Sequence, residues 1–164
     1  MLAFLQVVTV MLVALAAGLA LAHALELPGK LLLDKASYYA IQPIYYPGFT
    51  IGGAVGELGG IVATVLLAVV TPAGTLDFWL VLAALAGLLA MHAIYWTVTH
   101  PVNNFWVAGK TMNAAGAAFF GFGSRREGWN PEWTELRDRW EYSHVARAVV
   151  AGVSLLALVM SLVV

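Results

Sequence analysis

The chain contains no cysteine and few charged residues, and each shortage excludes certain kinds of site. Without thiols it cannot form disulfides, iron–sulfur clusters or thiolate metal sites. Charged residues make up 10% of the 164 positions and the net charge is −1, so no basic surface is available for nucleic acid. A metal would have to be held by histidine, carboxylate or tyrosine, and an uncharged or amphipathic small molecule is the better-matched ligand.

Apolar residues are abundant instead, at 62% of the chain with a mean hydropathy of +0.85. Four apolar runs are long enough to cross a hydrocarbon core of about 30 Å at about 1.5 Å per helical residue. They cover residues 2–25, 50–71, 76–99 and 142–164. We therefore predict an all-α fold, a four-helix transmembrane bundle that forms a single domain over 1–164 and sits in a lipid bilayer.

The first run ends in "AHA", residues 22–24, which resembles the cleavage site of a secretory signal. No basic segment precedes the run, and the run is longer than the apolar part of such signals. We expect it to be retained as the first span.

The connections between the spans differ in length and character. The turn "TPAGTLD", residues 71–77, is short and predicts that the second and third spans are antiparallel neighbours. The first connection is rich in tyrosine and is expected to lie along the interface as a cap. In the last connection, Asn130 as N-cap and Pro131 at the first helical position predict a helix over 131–141 that continues into the fourth span.

Positive charge is confined to one side of the predicted bundle. All eight cationic residues fall in the two long connections or just inside the fourth span: Lys30, Lys35, Lys110, Arg125, Arg126, Arg137, Arg139 and Arg147. Because cytoplasmic loops retain lysine and arginine, we expect both long connections in the cytoplasm and both termini outside, in a bacterial inner membrane.

Ionisable residues occur at the same end of every span. They are His23, Glu26, Glu57, His92, His100, His144 and Arg147. Such residues are costly inside a membrane and are therefore candidates for a functional site. An antiparallel bundle would bring them into one layer and leave its outer half almost without ionisable groups.

Helical spacing directs these residues inward. One stripe of the third span carries His92, Tyr95, Trp96, Thr99 and Asn103, and one stripe of the fourth carries Trp140, His144, Arg147 and Ser154. Around Glu57, the glycines at 52, 56 and 60 follow the small-xxx-small spacing that allows helices to approach closely. Glu57 is therefore expected to face a partner helix.

Three interpretations of the layer stay open. It can be structural, with Glu57 paired to Arg147 and His23 to Glu26. It can hold iron, copper or zinc, or a haem, through ligands drawn from His23, Glu26, Glu57, His92 and His144. It can also be a metal-free pocket in which histidine and glutamate act as bases and aromatic rings stack on a flat ligand.

Several segments resemble the anthrone-oxygenase-like family of small four-helix membrane proteins. They are "HALELPGK" at 23–30, Gln42, "HPVNN" at 100–104 and "RWEYSHVAR" at 139–147. The resemblance implies an oxygenase in which His144 or His23 removes an acidic C–H proton and the carbanion reacts with O₂. Arg147, Asn103 and Asn104 would then stabilise the oxyanion.

The leading hypothesis is thus a membrane oxidoreductase acting on a hydrophobic aromatic or quinol-like compound. Its predicted catalytic residues are His144, Arg147, His23, Glu26, Glu57 and His92, and its predicted substrate contacts are His100, Asn103, Asn104, Tyr95, Trp96 and Trp140. The alternative is a non-catalytic protein, either a homo-oligomer or a subunit of a membrane complex, that binds a small ligand or metal or uses the layer structurally.

Overall fold

The computed structural model describes residues 1–106 and 131–164, together with Gly116 and Phe119. Within the first two ranges the chain is helical and contains no strand. The helices are α1 (Leu2–Lys30), α2 (Lys35–Ile41), α3 (Gly48–Val70), α4 (Leu76–Ile94), α5 (His100–Trp106) and α6 (Trp133–Ser161). A 3₁₀ turn, Gln42–Tyr45, follows α2, and a π-helical turn, Tyr95–Thr99, joins α4 to α5. The predicted all-α class is confirmed.

In the described part of the chain, four helical segments are long and apolar enough to span a membrane: α1, α3, the continuous stretch Leu76–Trp106 and α6. Their ends differ from the predicted bounds. α1 runs to Lys30 rather than 25, because Lys30 folds back onto Glu26, one turn earlier, at 2.9 Å. α6 begins at Trp133 after an extended Glu132, so placing Pro131 at the first helical position was wrong by two residues. The predicted N-cap, Asn130, lies outside the described residues.

The hairpin between α3 and α4 forms as predicted. Gly74 has a φ of +86°, a conformation that glycine adopts without steric cost, and it turns the chain back on itself. The Thr75 hydroxyl then accepts a hydrogen bond from the backbone N–H of Phe78 and caps α4. The two helices are therefore antiparallel neighbours.

The core has three layers along the bundle axis. At the hairpin end lies an aliphatic layer of Val13, Leu67, Val81, Ala84, Leu88 and Leu158. The middle layer is built mainly of alanine, with Ala16, Ala17, Ala20, Met91 and Ala151. At the opposite end is an aromatic layer of Tyr38, Tyr45, Val102, Trp106, Leu136 and Trp140.

Glycines on α3 bring that helix close to α1. A Cβ atom at Gly56 would lie 2.8 Å from the backbone nitrogen of Ala16, and one at Gly60 would lie 3.2 Å from a methyl of Val13. The third glycine of the motif, Gly52, faces the side chain of Leu19, which also lies on α1. The small-xxx-small prediction is confirmed, and the close fit leaves Glu57 on the adjoining face of α3.

The first connection packs over the aromatic end of the bundle. Asp34 caps α2 by accepting a hydrogen bond from the backbone N–H of Ser37 at 2.8 Å. Two of its tyrosines do not lie at the surface as the interfacial prediction implied: Tyr38 and Tyr45 are 0% and 5% exposed. Both point inward because their hydroxyls bond to buried or half-buried carboxylates of the bundle.

Candidate functional site

A cavity of about 130 Å³ lies between the alanine and aromatic layers. A cavity of about 150 Å³ engineered into another protein holds one benzene molecule, so this one has room for about one aromatic ring. Nine of the twelve predicted site residues line it: His23, Glu57, His92, Tyr95, Trp96, Asn103, Trp140, His144 and Arg147. The predicted convergence of the polar stripes onto one pocket therefore matches the structure.

Glu57 is the central charge of the cavity wall. Its Oε2 atom accepts a hydrogen bond from Nη2 of Arg147 at 2.6 Å, and its Oε1 atom contacts Nδ1 of His92 at 2.7 Å. Glu57 and Arg147 are only 5% and 7% exposed. The pair links α3 to α6 and cancels the charge of both residues, as the structural interpretation expected.

The hydrogen bonds of His92 determine its tautomer. The indole Nε1–H of Trp96 donates to Nε2 of His92 at 2.9 Å, so Nε2 carries no proton. Nδ1 must therefore hold the proton that it donates to Glu57. His92 is a neutral imidazole with both nitrogens occupied, and it cannot take a proton from a ligand unless Trp96 moves away.

The tautomer of His144 follows from its neighbour. Its Nδ1 atom lies 3.4 Å from Nη1 of Arg147, and since a guanidinium can only donate, Nδ1 accepts. The proton of His144 is then on Nε2, which has no partner among the described residues. A buried donor with no partner is costly, and a ligand with an acceptor atom would relieve that cost.

His23 completes this part of the wall. Its ring stacks on that of His144 with centroids 4.1 Å apart, and it is 4% exposed. Its Nδ1 atom has no hydrogen-bond partner in the described part of the chain. That atom lies 3.8 Å from Oε2 of Glu26, which is within ion-pair distance but too long for a hydrogen bond.

Asn103 fixes the aromatic side of the cavity. Its Oδ1 atom accepts from the indole of Trp140 at 2.8 Å and from the hydroxyl of Tyr46 at 3.1 Å. Burial raises the pKa of Tyr46, and burial together with the hydrogen bond to Glu26 raises the pKa of Tyr45. Both phenols therefore keep their protons at neutral pH and act as donors.

The π-helical turn lies beside the cavity. It spans Tyr95–Thr99 and is bound to α6 through the hydroxyls of Thr99 and Ser143, which are 2.8 Å apart. All five residues of the predicted stripe, from His92 to Asn103, line the cavity across this turn. Single π turns inside α-helices are frequent at functional sites, and hydropathy gave no sign of this one.

Three predicted site residues are not part of the cavity wall: Glu26, His100 and Asn104. The Glu26 side chain is 41% exposed and bonds to Lys30 and Tyr45. His100 is buried against the ring of Trp96, with centroids 4.7 Å apart. The amide atoms of Asn104 have no partner among the described residues.

A second polar network was not predicted. Lys30 is 4% exposed and lies 2.9 Å from Glu26 and 3.4 Å from Glu141. Glu141 is fully buried and accepts a hydrogen bond from the hydroxyl of Tyr38 at 2.8 Å. The four-residue spacing of Glu26 and Lys30 was the available signal, but Lys30 was assigned to a loop. Phe119, which also lines the cavity, carried no signal in the sequence.

The geometry does not favour the metal interpretation. Among the described residues no three histidine, aspartate or glutamate side chains converge as metal ligands. Both oxygens of Glu57 and both nitrogens of His92 are engaged in hydrogen bonds. The rings of His23 and His144 stack, with an interplanar angle of 34°, rather than pointing their nitrogens at one centre.

Function has to be argued from the chemistry of the cavity. Its polar side chains lie on α1, α3, α4, α5 and α6, and its aromatic walls come from the connections as well as from the spans. No protein-family model matches the chain, and no curated protein or solved structure is detectably similar to it.

Proposed function

We propose that the protein is a membrane oxidoreductase of the anthrone-oxygenase type, which oxidises a hydrophobic aromatic or quinol-like compound in this cavity. The observation that carries the proposal is the unpartnered, buried Nε2–H of His144, a residue in the wall of an aromatic-lined cavity with room for one ring. Such a donor fits a carbonyl or phenolate oxygen. A larger fused-ring compound would extend from the cavity through its opening.

The charges of the wall support an uncharged substrate. Glu57 neutralises Arg147 at 2.6 Å, and the tautomer of His92 is neutral. A ligand carboxylate would therefore meet no unpaired cation in the wall, whereas a neutral oxygen needs only the donor of His144. Nε of Arg147 also has no partner among the described residues, and since Arg147 lines the cavity its guanidinium lies next to charge that develops during the reaction.

In the proposed reaction, His23 removes a proton from an acidic ring CH₂ group and leaves a carbanion whose charge is delocalised onto the carbonyl oxygen. His23 is preferred to His144 as the base, because the Nδ1 of His144 is directed at Arg147. O₂ adds to the carbanion to give a peroxide anion, which takes the proton back from His23 and becomes a hydroperoxide. Loss of water converts the CH₂ group to a carbonyl, so one O₂ is consumed and one H₂O is released.

The experiment is a turnover assay with anthrone in reconstituted vesicles, in which O₂ consumption and anthraquinone absorbance are both recorded. The unsubstituted protein should form one anthraquinone per O₂. Replacing His23 by Phe keeps a ring in the stack and removes the base, so the rate should fall by about 100-fold or more. His144→Phe removes the donor and should cause a loss of about the same size.

Thr64→Val serves as the matched control. Thr64 is a fully buried polar residue on α3, about two helical turns from Glu57 and outside the cavity wall, and its hydroxyl bonds to the backbone oxygen of Gly60. This variant should keep the full rate. If both histidine variants fold and also keep the full rate, the proposed function is wrong.

A non-catalytic protein is the second candidate. In its favour, the ion pair of Glu57 and Arg147 and the network around Lys30 connect different helices, as purely structural groups do. In that case gentle detergent extraction should recover a stable homo-oligomer or a complex with other membrane subunits.

Elemental analysis and an absorbance spectrum of the purified protein test for a bound metal or haem.

The proposed location is a bacterial inner membrane, with both termini outside and both long connections in the cytoplasm. Lys30 and Lys35 lie at the aromatic end of the bundle, as do Arg137 and Arg139 at the start of α6. The hairpin at the opposite end carries no cation. Lysine and arginine concentrated at one end favour that end as the cytoplasmic one.

A further inference from the structure

The wall of the cavity is incomplete between α3 and α4. On α3, Ala54 and Leu58 line the cavity and are also exposed on the outside of the bundle, Leu58 by 50%. On the facing helix the side chain of His92 lines the cavity and is 32% exposed. These residues mark an opening, which we call the α3–α4 gap.

The sequence of α3 explains why the gap exists. Three of its cavity-lining residues are small: Thr50, Gly53 and Ala54 lie within about one helical turn of one another. A Cβ atom at Gly53 would meet nothing within 4 Å, so the space beside it is empty. Gly56, three residues further along the helix, is in tight contact with α1. Small residues therefore leave open space beside the cavity and allow close packing against α1 within the same helix.

The surroundings of the gap are apolar. The exposed residues beside it on α3 are Ile51 (61%), Val55 (52%) and Val62 (59%), and Leu89 on α4 is 50% exposed. Ala54 lies six residues after the start of α3, about 9 Å along a helix that crosses a hydrocarbon core of about 30 Å. The gap therefore faces acyl chains rather than water.

We propose that the cavity exchanges its ligand with the bilayer through the α3–α4 gap, and that Ala54 and Leu58 set the width of this entrance. The ligand class is then a neutral, lipid-soluble molecule, because an ion would not reach an entrance at this depth. The identity of the ligand rests on the proposed function, but the position of the entrance does not.

A spin-label experiment tests the entrance without requiring turnover. Because the chain has no cysteine, a single introduced cysteine can be labelled cleanly in proteoliposomes. The sites are Ala54→Cys in the gap and, as matched control, Val55→Cys on the lipid-facing side of the same helix, with Leu58→Cys as a second gap site. Collisions with O₂, which dissolves in lipid, are compared with collisions with a water-soluble nickel chelate.

Labels at Ala54 and Leu58 should collide with O₂ more than with the chelate, in a ratio within about two-fold of that at Val55, because all three lie at similar depth. A chelate-dominated signal at the gap sites would mean that the cavity opens to water and would overturn the proposal. A signal at both gap sites that responds to neither reagent would mean that the gap is closed, which would also overturn it.

A second arm narrows the entrance. Ala54→Trp should lower kcat/KM for anthrone supplied in the vesicle membrane by about ten-fold, since entry slows while the catalytic groups stay in place. Val55→Trp, which adds the same bulk outside the gap, should leave kcat/KM unchanged. If the two variants behave alike, the gap is not the entrance; if even the unsubstituted protein does not oxidise anthrone, the proposed function fails and the spin-label result still decides the entrance.

Discussion

The two ends of the bundle differ in the hydrogen-bond partners of their buried polar side chains. At the hairpin end, the buried hydroxyls of Thr9, Thr64, Ser154 and Ser161 each bond to a backbone oxygen three or four residues earlier on the same helix. At the cavity end, the Ser143 hydroxyl bonds locally in the same way, but other polar side chains bond across helices, as Glu57 does to α4 and α6.

This difference distinguishes hydroxyls that bond within one helix from polar side chains whose partners lie on other helices. Local hydroxyl bonds need no partner helix, so these four hydroxyls do not link the helices, and the described core at the hairpin end is an aliphatic layer. Cross-helix bonds require their partners in fixed positions, and a missing partner leaves a costly buried group. Packing alone does not require buried groups without partners. The unpartnered atoms of His23 and His144 occur at the cavity end.

The largest expected effect breaks the central ion pair. Arg147→Met leaves the carboxylate of Glu57 buried without its cation and should lower the free energy of unfolding by about 3–5 kcal/mol. The double variant Glu57→Gln with Arg147→Met removes both charges and should recover most of that loss. Unfolding in detergent with increasing denaturant measures both, and a double variant no more stable than the single one would contradict this account.

A smaller effect tests the contact between α1 and α3. Gly56→Ala places a methyl group against the backbone of Ala16 and should cost about 1–3 kcal/mol, because backbone cannot move aside as a flexible side chain can. Gly53→Ala adds the same methyl three residues away, where nothing lies within 4 Å. Thermal unfolding of the two variants should differ, and equal stability would show that the close approach is unimportant.

The smallest effect compares the two kinds of hydroxyl directly. Thr99→Val removes a cross-helix bond to Ser143 and should cost about 0.6 kcal/mol, the average found for such bonds between membrane helices. Thr64→Val removes a bond within one helix and should cost less. Denaturant titrations measured in parallel give the difference, and a larger loss for Thr64→Val would reverse the comparison between the two ends.

The sequence was sufficient for the fold and for the histidine, glutamate and arginine side chains of the cavity wall. Apolar runs of membrane length predicted the spans, and the cost of ionisable groups in a membrane identified His23, Glu57, His92, His144 and Arg147 as a layer. These signals are local or periodic, so one chain reveals them.

What the sequence did not predict depends on contacts between distant segments. Lys30 looked like a loop cation because its second partner, Glu141, lies 111 residues away. The π-helical turn at Tyr95–Thr99 has no composition that separates it from an ordinary helix. The size of the cavity and the place of Phe119 in its wall follow from packing, which periodicity does not encode.

The position of the hairpin has a mechanical consequence. α3 and α4 are joined covalently only by the turn around Gly74, and Ala54 lies sixteen residues before the end of α3, about 24 Å from that turn. The two helices therefore form a hairpin whose turn lies at the aliphatic end and whose free ends lie at the cavity. A pivot of about 5° at the turn would separate the free ends by about 2 Å over that length. Such a displacement would widen the gap and break the 2.7 Å contact between Glu57 and His92, which joins the two helices there, while the aliphatic layer around Leu88 stays packed.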